Sequence, residues 1–428
     1  MKYFCKLYKI IFIFLIILLS STTVFADDIL PTEDNFDISE ILEDIESIET
    51  SGNLSEIPTI NSRAYVVIDR NSNTVLVGKN ENQKKKMAST TKIMTALVVI
   101  ENNNLSDTVE ISKKAASTGG SRLGLKTGDK LTVSDLLYGL MLRSGNDAAV
   151  ALAEYTSGSI NAFAELMNKK ASELGLSNTH FVTPHGLDED EHYTTAYELA
   201  ILANYALNNE FFAKIVGTKT YTITINGYPK SITNTNELLG NLNGVYGVKT
   251  GFTNGANRCL VSACKRSNMD IICVVLGADT KKFRTTDSIK LIEYCFNNFS
   301  YVNIEEIITN NFENWKKDNI NSFVINKGIS NYINLDYDKP QHSKIPVKND
   351  LIDKFNIFIN CNTNLESPVI EGTPIGNITL ELENQTIYYG NINIKSSIAR
   401  KNILDYLYYF YKYYSNILTN LPYIWSEQ

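Results

Sequence analysis

Tryptophan, histidine and cysteine are scarce in this chain of 428 residues, with two, four and six copies respectively. Cys5 lies in an apolar amino-terminal segment. The other five cysteines are an odd number without the spacing of metal ligands, so we expect no disulfide framework. Three of the histidines, His180, His185 and His192, lack the i, i+4 spacing with which a helix holds a metal ion. We therefore expect no metal and no cofactor.

An excess of basic residues is also lacking. The 40 Lys and Arg residues against 47 Asp and Glu residues give a formal net charge of −7, which argues against a protein that binds the phosphate backbone of nucleic acids. Hydrophobic residues make up 43% of the chain. This fraction excludes a disordered chain and a protein that crosses the membrane many times. A globular protein of roughly two or three domains is expected at this length.

The amino terminus carries an export pattern. Residues 1–26 begin with a stretch that contains three lysines, continue in an apolar run and end in Val24-Phe25-Ala26. A charged start, an apolar run and a small-x-small end are typical of a secretory signal peptide. A retained amino-terminal anchor is the alternative. Both interpretations predict that the protein acts outside the cytoplasm.

Composition and periodicity divide the following residues into three segments. Residues 27–60 contain eleven acidic residues and no basic one, which predicts a solvated linker with a short helix at Ile38–Ile48. Residues 61–298 have strand-like runs at both ends and helix-period runs between them. This order predicts an α+β domain whose sheet takes strands from both ends around an inserted helical lobe. Residues 299–395 contain short β-branched runs separated by Asn, Gly and Pro, which predict a small all-β domain.

The individual elements follow from the periods of the apolar residues. The predicted strands of the α+β domain are Ala64–Asp69, Thr74–Gly78, Tyr221–Ile225, Tyr246–Lys249, Cys259–Cys264 and Ile271–Leu276. Its predicted helices are Ser89–Glu101, Val133–Leu142, Asp147–Tyr155, Ala162–Leu174, Ala196–Leu207 and Thr286–Phe296. The strands predicted for the β domain are Ser322–Ile325, Ile357–Ile359, Ile378–Leu382 and Thr386–Tyr389.

The last segment, residues 396–428, predicts an amphipathic helix. Between Ile398 and Leu421 the apolar side chains fall within one arc of about 140° of the helical wheel. Lys401 and Lys412 lie on the opposite side, and tyrosines, which favour the headgroup zone, lie at one border. We expect the helix to lie in a membrane interface. The alternative is a helix that packs on the β domain, and a membrane span is disfavoured by the charged residues.

Three short motifs contain the candidate chemistry. They are Ser89-Thr90-Thr91-Lys92, Ser144-Gly145-Asn146 and Lys249-Thr250-Gly251. Each pattern recurs in the chain, as Ser262-Ala263-Cys264-Lys265, Ser51-Gly52-Asn53 and Lys126-Thr127-Gly128. The surrounding sequence must therefore decide between the copies.

Ser89 stands at the start of a helix-period run. At a spacing of i, i+3, Ser89 and Lys92 would lie on one helix face, whereas Ser262 and Lys265 lie in a strand and point to opposite faces. The positive end of the helix dipole favours a negative charge that develops on Ser89. A neighbouring amine can accept the hydroxyl proton if burial and nearby cations lower its pKa. Ser89 and Lys92 are thus the candidate pair.

The other two motifs also stand where a fold can hold them. Ser144 and Asn146 connect two predicted helices, so Ser144 can relay a proton and Asn146 can hydrogen-bond to a substrate amide, whereas the second copy lies in the acidic linker. Lys249 and Gly251 end a strand and share one face, where a glycine permits a substrate backbone to approach closely. The Lys126 copy precedes a helix entry and predicts a turn.

In order and spacing these motifs resemble the D-alanyl-D-alanine carboxypeptidases of the peptidase S11 family, which are low-molecular-weight penicillin-binding proteins. The resemblance covers residues 61–298 and is carried by Met87–Ala96, Leu140–Ala149, Thr183–Asp188 and Gly247–Thr253. It implies a penicillin-binding, serine β-lactamase-like transpeptidase fold. It also implies a serine hydrolase at the extracytoplasmic face of the cell membrane. The implied partners are peptidoglycan stem peptides that end in D-Ala-D-Ala, β-lactam antibiotics as covalent inhibitors, and a membrane surface for the terminal helix.

The resemblance also implies catalytic roles. Ser89 is the expected acylated nucleophile and Lys92 its general base. Ser144 and Lys249 are expected to pass the proton towards the leaving D-Ala nitrogen, and Asn146 to orient the donor peptide.

Substrate-binding roles are implied in the same way. The backbone N–H groups of Ser89 and Phe252 would form the oxyanion hole. Thr250 and Thr253 match the Lys-Thr-Gly-x-Thr strand of the family, which also contains Gly251, and Arg284 matches an arginine that anchors the terminal carboxylate. A surface arginine at a helix start is the alternative for Arg284.

Asp188 matches a loop that borders the site, where a role in deacylation and a structural loop cap are both open. Two other functions remain alternatives. A β-lactamase would need a deacylating carboxylate, for which Glu189 and Glu191 leave the question open. A catalytically inactive wall-binding scaffold would retain the motifs without turnover.

Overall fold

The computed structural model of the chain describes residues 36–43 and 56–419. The predicted signal peptide at residues 1–26 lies outside this part, as does most of the acidic linker. Residues 38–43 are helical, and the rest of the helix predicted at Ile38–Ile48 lies outside the described residues.

The chain divides into two compact units, with the boundary between Phe299 and Ser300. The elements before the boundary are β1 (Ala64–Asp69), β2 (Val75–Lys79), α1 (Lys92–Asn102), β3 (Thr108–Glu110), α2 (Lys113–Ala116), β4 (Lys130–Thr132), α3 (Val133–Leu142), α4 (Asn146–Ser157), α5 (Ile160–Glu173), α6 (Ala196–Leu207), α7 (Glu210–Val216), β5 (Thr220–Ile225), β6 (Tyr228–Thr233), β7 (Val245–Thr253), β8 (Asn257–Arg266), β9 (Met269–Ala278) and α8 (Lys281–Asn298).

Five of these strands form the main sheet, in the order β2-β1-β9-β8-β7, and every neighbouring pair is antiparallel. Helix α8 packs against β8 and β9, while α6 packs against β1 and β9 from the side of the helical lobe. Because helices cover both faces, β1 and β9 are nearly continuous apolar runs and are buried along almost their whole length. The predicted α+β fold, with strands from both ends and a helical lobe between them, is confirmed.

Helix α1 forms the centre of the helical lobe. Its residues from Lys92 to Val99 are all buried, and it packs against α3, α4, α5 and α6. A helix that is surrounded on every side carries apolar residues on all its faces, as this one does from Ile93 to Val99 apart from Thr95. The position matters for function because the candidate nucleophile lies immediately before this helix.

A small ribbon, β5 with β6, was only half predicted. The apolar pattern predicts the first strand but not Tyr228–Thr233, which pairs with it through a turn at Asn226 and Gly227. Both turn residues have positive φ, 52° and 83°. Asn-Gly is the pair that favours a tight hairpin turn, so the signal for β6 was present in the sequence.

The second unit begins at the second residue of β10 (Phe299–Asn303). It continues with α9 (Ile304–Asn319), β11 (Val324–Asn326), β12 (Leu335–Tyr337), β13 (Lys344–Lys348), β14 (Phe355–Cys361), β15 (Asn364–Glu366), β16 (Pro374–Leu382), β17 (Gln385–Ile394) and α10 (Ile403–Thr419). Its largest sheet has the order β12-β17-β16-β14. The prediction of an all-β unit is wrong for α9, whose Ile304, Ile308 and Phe312 are buried at a spacing of four residues. This spacing is the mark of an amphipathic helix.

Helix α10 leaves its apolar side chains in solvent. Eleven large hydrophobic residues between Ile403 and Ile417 are each at least 43% exposed. The alternative of a helix that packs on the β domain would bury this face. In the part of the chain that the structure describes, no helix is both long and apolar enough to cross a membrane.

A loop between α5 and α6 supports the start of α1 through two buried histidines. The Val182 N–H donates to Nδ1 of His192, so Nε2 carries the proton and lies 2.7 Å from the Thr91 hydroxyl oxygen. Burial lowers the pKa of His192 to about 4. Burial, followed by the charge of Lys92, lowers the pKa of His185 to about 3. Both imidazoles are therefore neutral in the folded protein near neutral pH.

These two histidines predict an acid-sensitive fold. In the unfolded chain an imidazole binds a proton below about pH 6.5, so the unfolded state takes up more protons than the folded state between pH 6.5 and 4. Stability is full above pH 6.5 and should fall as the pH is lowered, by an amount on the order of 3 kcal/mol for His192 alone. Thermal unfolding of the wild type and His192→Gln at several pH values measures this slope.

The variant should be less stable overall but lose less stability on acidification. His342→Gln, in the second unit, is the matched control and should retain the slope of the wild type. Equal slopes for His192→Gln and the wild type would refute the assignment.

Candidate active site

Ser89 lies in a single 3-10 turn, Ala88–Thr91, and the α-helix begins only at Lys92. The predicted helix therefore starts three residues later than expected, although the i, i+3 contact is kept. Lys92 Nζ donates to Ser89 Oγ over 2.7 Å, and both side chains are buried. Ala88 has a φ of 49°, in the left-handed region that an alanine rarely adopts. The strained residue directly before Ser89 turns the serine towards the cleft.

The amine of Lys92 links three segments of the chain. Besides Ser89 it donates to Asn146 Oδ1 over 2.7 Å and to the carbonyl oxygen of His185 over 2.9 Å. An ammonium group has three donors, so it can bind all three of these acceptors at once. The geometry fixes the amine against the serine hydroxyl, where it can take up or return a proton.

Two glycines allow neighbouring backbone to close around the turn that carries Ser89. A Cβ atom at Gly251 on β7 would lie 3.1 Å from the Ser89 nitrogen, which is tighter than ordinary packing. A Cβ atom at Gly186 would lie 2.0 Å from the Ala88 carbonyl oxygen, and Gly186 has a φ of 86°. Gly186 therefore requires glycine, whereas a side chain at Gly251 would push the nucleophile turn away by a few tenths of an ångström. Gly186 was not among the predicted site residues, since no local pattern distinguishes it from a glycine in an ordinary turn.

Ser144 and Asn146 are held by the connection between α3 and α4. Ser144 has a φ of 62° and lines the cleft. Asn146 begins α4; its Nδ2 donates to the Gly119 carbonyl oxygen over 2.8 Å, while its Oδ1 accepts from Lys92. Both amide atoms are thus oriented by the protein.

Asp147 holds a loop beside the site and was not predicted. Its carboxylate accepts from the backbone N–H groups of Leu123, Gly124 and Leu125 at 2.9 to 3.0 Å. The adjacent Asn146 N–H donates to the Ser121 carbonyl oxygen. The loop at residues 119–125 is therefore attached to the start of α4, and this attachment places Ser121 in the lining of the cleft.

The edge strand β7 forms the other wall. Lys249 is buried, and its Nζ donates to the Thr250 carbonyl oxygen over 3.0 Å. The Thr250 hydroxyl lies 2.7 Å from that of Thr235. Thr253 donates its hydroxyl proton to Asp188 over 2.7 Å, and Asp188 also accepts from the Gly255 N–H. The Asp188 carboxylate thus caps the turn after β7, which favours its structural interpretation.

Arg284 is buried near the cleft in contact with Glu237. The Arg284 guanidinium and the Thr285 hydroxyl both donate to Glu237 Oε1. Burial would raise the pKa of Glu237, but the Arg284 charge and the Thr285 hydroxyl outweigh it and lower the pKa. Nε of Arg284 has no hydrogen-bond partner among the described residues. Arg284 is therefore not a surface residue, and Glu237, which sequence analysis missed, is its partner.

These elements enclose a cleft of about 300 Å³. It is lined by Ser89, Ser121, Arg143, Ser144, Thr235, Thr250, Gly251, Phe252, Arg258, Lys281 and Arg284. Six of the predicted site residues are among them, while Lys92, Asn146 and Lys249 are buried behind the lining. Thr253 and Asp188 lie outside it. No group of His, Cys, Asp or Glu side chains suited to a metal ion occurs in residues 36–43 and 56–419.

Known proteins are similar to this chain in sequence and in fold. A family model for D-alanyl-D-alanine carboxypeptidase matches residues 51–280. D-alanyl-D-alanine carboxypeptidase DacF of Bacillus subtilis is 34% identical over 352 residues, which cover 81% of this chain and 88% of that protein. DacA of Escherichia coli is 31% identical over 366 residues, 82% of this chain and 88% of that protein.

Solved structures agree with this result. The D-alanyl-D-alanine carboxypeptidase DacD from Francisella tularensis superposes with a TM-score of 0.65 at 26% identity, over 81% of this chain and 95% of that one. Penicillin binding protein 5 from Haemophilus influenzae gives a TM-score of 0.63 at 29% identity, over 80% and 99%. The residues that the family model matches include the helical lobe and sheet that hold Ser89 and Lys92. The chain belongs to the peptidase S11 family of D-alanyl-D-alanine carboxypeptidases, which are serine peptidases.

Proposed function

We propose that this enzyme removes the terminal D-Ala from peptidoglycan stem pentapeptides through an acyl-enzyme at Ser89. The observation that carries the proposal is the 2.7 Å hydrogen bond from Lys92 Nζ to Ser89 Oγ at the wall of a polar cleft. A serine hydroxyl is a weak nucleophile unless a base accepts its proton. The buried amine is the group in contact with it.

Acylation begins with the attack of Ser89 Oγ on the carbonyl carbon of the penultimate D-Ala, while Lys92 in its neutral form takes the hydroxyl proton. The negative charge on the carbonyl oxygen is stabilised by the N–H groups of Ser89 and Phe252. Elsewhere one such donor contributes about 3 to 4 kcal/mol. The contact of Gly251 with the Ser89 backbone supports this assignment, because it brings β7 against the nucleophile turn.

Collapse of the intermediate breaks the peptide bond. The proton reaches the leaving nitrogen through Ser144 and Lys249, and the terminal D-Ala departs as a free amino acid. A water molecule then attacks the ester carbonyl, gives a proton to Lys92, and releases the shortened peptide as a carboxylic acid. The proton returns from Lys92 to Ser89 Oγ, which restores the enzyme.

Arg284 and Thr250 are proposed to bind the terminal carboxylate of the substrate. Both line the cleft, and Arg284 Nε has no partner among the described residues. The paired Glu237 holds the guanidinium in place without using all its donors. A guanidinium presents its donors in a planar fork that matches a carboxylate.

β-Lactam antibiotics are proposed to acylate Ser89 as well, since the same nucleophile would open the lactam ring. The alternative of a β-lactamase requires a carboxylate that directs water at the ester. Glu189 and Glu191 are exposed and do not line the cleft, and Asp188 is engaged with Thr253. These positions favour a long-lived acyl-enzyme over rapid drug hydrolysis.

The location is proposed to be the outer face of the cell membrane. Residues 1–26 would direct export, and α10 would lie in the membrane interface with its exposed apolar and tyrosine side chains. The eleven exposed large hydrophobic residues of α10 support this placement, since such a surface is costly in water.

The first test is the release of D-Ala from diacetyl-Lys-D-Ala-D-Ala. The wild type should release it, and Ser89→Ala should lower kcat/KM by roughly a thousandfold or more, because the nucleophile is lost. Ser262→Ala is the matched control: Ser262 is buried in the second Ser-x-x-Lys copy, and its hydroxyl has no partner among the described residues. It should keep the rate of the wild type. The absence of D-Ala release by the wild type would overturn the enzymatic proposal.

The second test follows benzylpenicillin by intact-protein mass spectrometry. A single adduct should form on the wild type, persist for many minutes and map to a peptide that contains Ser89. Ser89→Ala should form none. Rapid loss of the adduct with continuous consumption of the drug would instead establish the β-lactamase alternative.

The third test removes residues 398–428. The truncated protein should stay in the supernatant when it is centrifuged with lipid vesicles, whereas the longer protein should pellet with them, because the apolar face of α10 is gone. D-Ala release from a soluble peptide should be equal in both, since the deletion lies in the second unit. Equal pelleting would contradict the membrane role.

A further inference from the structure

Strand β14 leaves one edge of the largest sheet in the second unit open. The four strands have the order β12-β17-β16-β14, so β14 pairs with β16 on one side. In the part of the chain that the structure describes, no strand pairs with its other side. Such an edge presents a row of backbone N–H and C=O groups, which are a template for pairing with another chain.

The features that usually protect an edge strand are missing from β14. Protected edge strands are commonly short, charged, interrupted by proline or bent by a bulge. β14 is seven residues long, and its sequence, Phe355-Asn-Ile-Phe-Ile-Asn-Cys361, contains no charged residue and no proline. Its register with β16 has no bulge. The open edge is therefore suited to pairing.

The opposite edge of the same sheet is protected. Strand β12 is three residues long and contains Asp336, whose carboxylate forms an ion pair with Lys395 at 3.6 Å. A short strand that carries a charge is a poor template for another chain. Pairing is therefore disfavoured at β12 and open at β14.

The ladder with β16 decides which backbone groups face the open edge. The Asn362 N–H donates to the Ile375 carbonyl oxygen over 2.8 Å, and one position earlier Cys361 lies opposite Gly376. Along an antiparallel ladder, residues that exchange hydrogen bonds alternate with residues that do not. Cys361 is thus of the second kind, as are the other odd-numbered residues of β14. The N–H and C=O groups that point to the open edge are those of Phe355, Ile357, Ile359 and Cys361.

The sequence of β14 is symmetric about Phe358. Isoleucine flanks it on both sides, at 357 and 359, and asparagine follows on both sides, at 356 and 360. Two antiparallel copies with a two-fold axis at Phe358 would set Ile357 of one opposite Ile359 of the other. Odd-numbered residues, which carry the open backbone groups, would then exchange hydrogen bonds with each other. A slip of one residue would set odd positions opposite even ones and lose these bonds.

The outer side chains of β14 fit the same register. Phe358 is 49% exposed, and at the axis it would stand opposite its own copy in a non-bonded pair, where side chains are closest. Aromatic pairs across strands are stabilising. Asn356 would meet Asn360, and a side-chain amide both donates and accepts. Because β14 contains no charged side chain, the two edges do not repel each other.

The inner side chains of β14 also gain from pairing. Ile357 and Ile359 are half-buried and pack against a core that includes Phe312 of α9. A two-fold axis perpendicular to the sheet keeps the inner faces of both copies on the same side. Ile357 of one copy would therefore continue the apolar face at Ile359 of the other, and both would lose contact with water.

We propose that β14 is a dimerisation edge, at which two copies of this chain pair antiparallel about a two-fold axis at Phe358. The two four-stranded sheets then form one continuous sheet. The interface is isologous, since the same residues serve in both copies. One strand from each copy is small beside the roughly 1,200 to 2,000 Å² of stable complexes, so the dimer is weak and depends on concentration. The inference does not depend on the carboxypeptidase activity.

The first experiment maps the register by disulfide formation. It uses the whole chain with Cys361→Ser, in micelles of a mild detergent that cover the apolar face of α10. On oxidation in air with a copper–phenanthroline catalyst, Phe358→Cys should give a covalent dimer, because the two sulfur atoms meet at the axis. Asn356→Cys alone should not, since its own copy lies four residues along the strand, roughly 13 Å away. Asn356→Cys combined with Asn360→Cys should give the dimer again.

Tyr389→Cys is the matched control for these variants. Tyr389 is 61% exposed and lies in line with Phe358 on the same face of the sheet, on β17, away from the edge. It should give no covalent dimer at the concentration at which Phe358→Cys does.

The second experiment measures the dimer by analytical ultracentrifugation over a range of concentrations in the same detergent. Phe358→Lys should raise the Kd by roughly tenfold, because it replaces an aromatic pair by two like charges that stand opposite each other. Tyr389→Lys makes the same charge change on the same face and should keep the Kd of the wild type.

A chain that stays monomeric at every concentration, with no covalent dimer of Phe358→Cys, would overturn the proposal. A dimer that Phe358→Lys leaves unchanged would also overturn it, since the contact would then lie elsewhere, for example at α10. Covalent dimers that form equally well at Asn356 alone or at Tyr389 would refute the register at Phe358.

Discussion

The buried amine of Lys92 is the contact on which the arrangement of the site depends. It joins the turn that carries Ser89, the start of α4 at Asn146 and the loop carbonyl at His185, which are far apart in sequence. A buried amine is costly unless its donors are satisfied. Because the three acceptors come from three segments, the amine is satisfied only when all three segments are in their folded positions around the start of α1.

Buried carboxylates then support the walls around this centre. Asp147 binds three backbone N–H groups of one loop, Asp188 caps the turn after β7, and Glu237 holds Arg284. In each case ionised oxygens accept from donors that would otherwise be unsatisfied in the interior. Among the residues that the structure describes, no Asp or Glu lines the cleft, so these supporting charges do not face the terminal carboxylate of the proposed substrate. Negative groups lie behind the walls, and positive groups face the ligand.

The elements that the sequence predicted correctly are those in which apolar residues recur with a clear helical or strand period. The strands of the main sheet and the longer helices of the lobe lie close to their predicted positions. Helix α9 was missed because polar residues separate its buried Ile304, Ile308 and Phe312, and neighbouring β-branched runs dominated the interpretation. The start of α1 was misplaced because a 3-10 turn and the first turn of an α-helix share the same i, i+3 contact.

The sequence by itself determined the chemical groups and their family. Each of the three motifs has a fixed spacing within one segment, and the period of the apolar residues around it distinguishes a helix start from a strand end. Only the tertiary structure decided what surrounds them. Glu237 and Arg284 are 47 residues apart, and Gly186 meets Ala88 across the lobe. Such contacts depend on how separate elements pack, and no local pattern encodes them. The same holds for the positive lining, since side chains from a helix end, a strand and a helix start share one cleft only after folding.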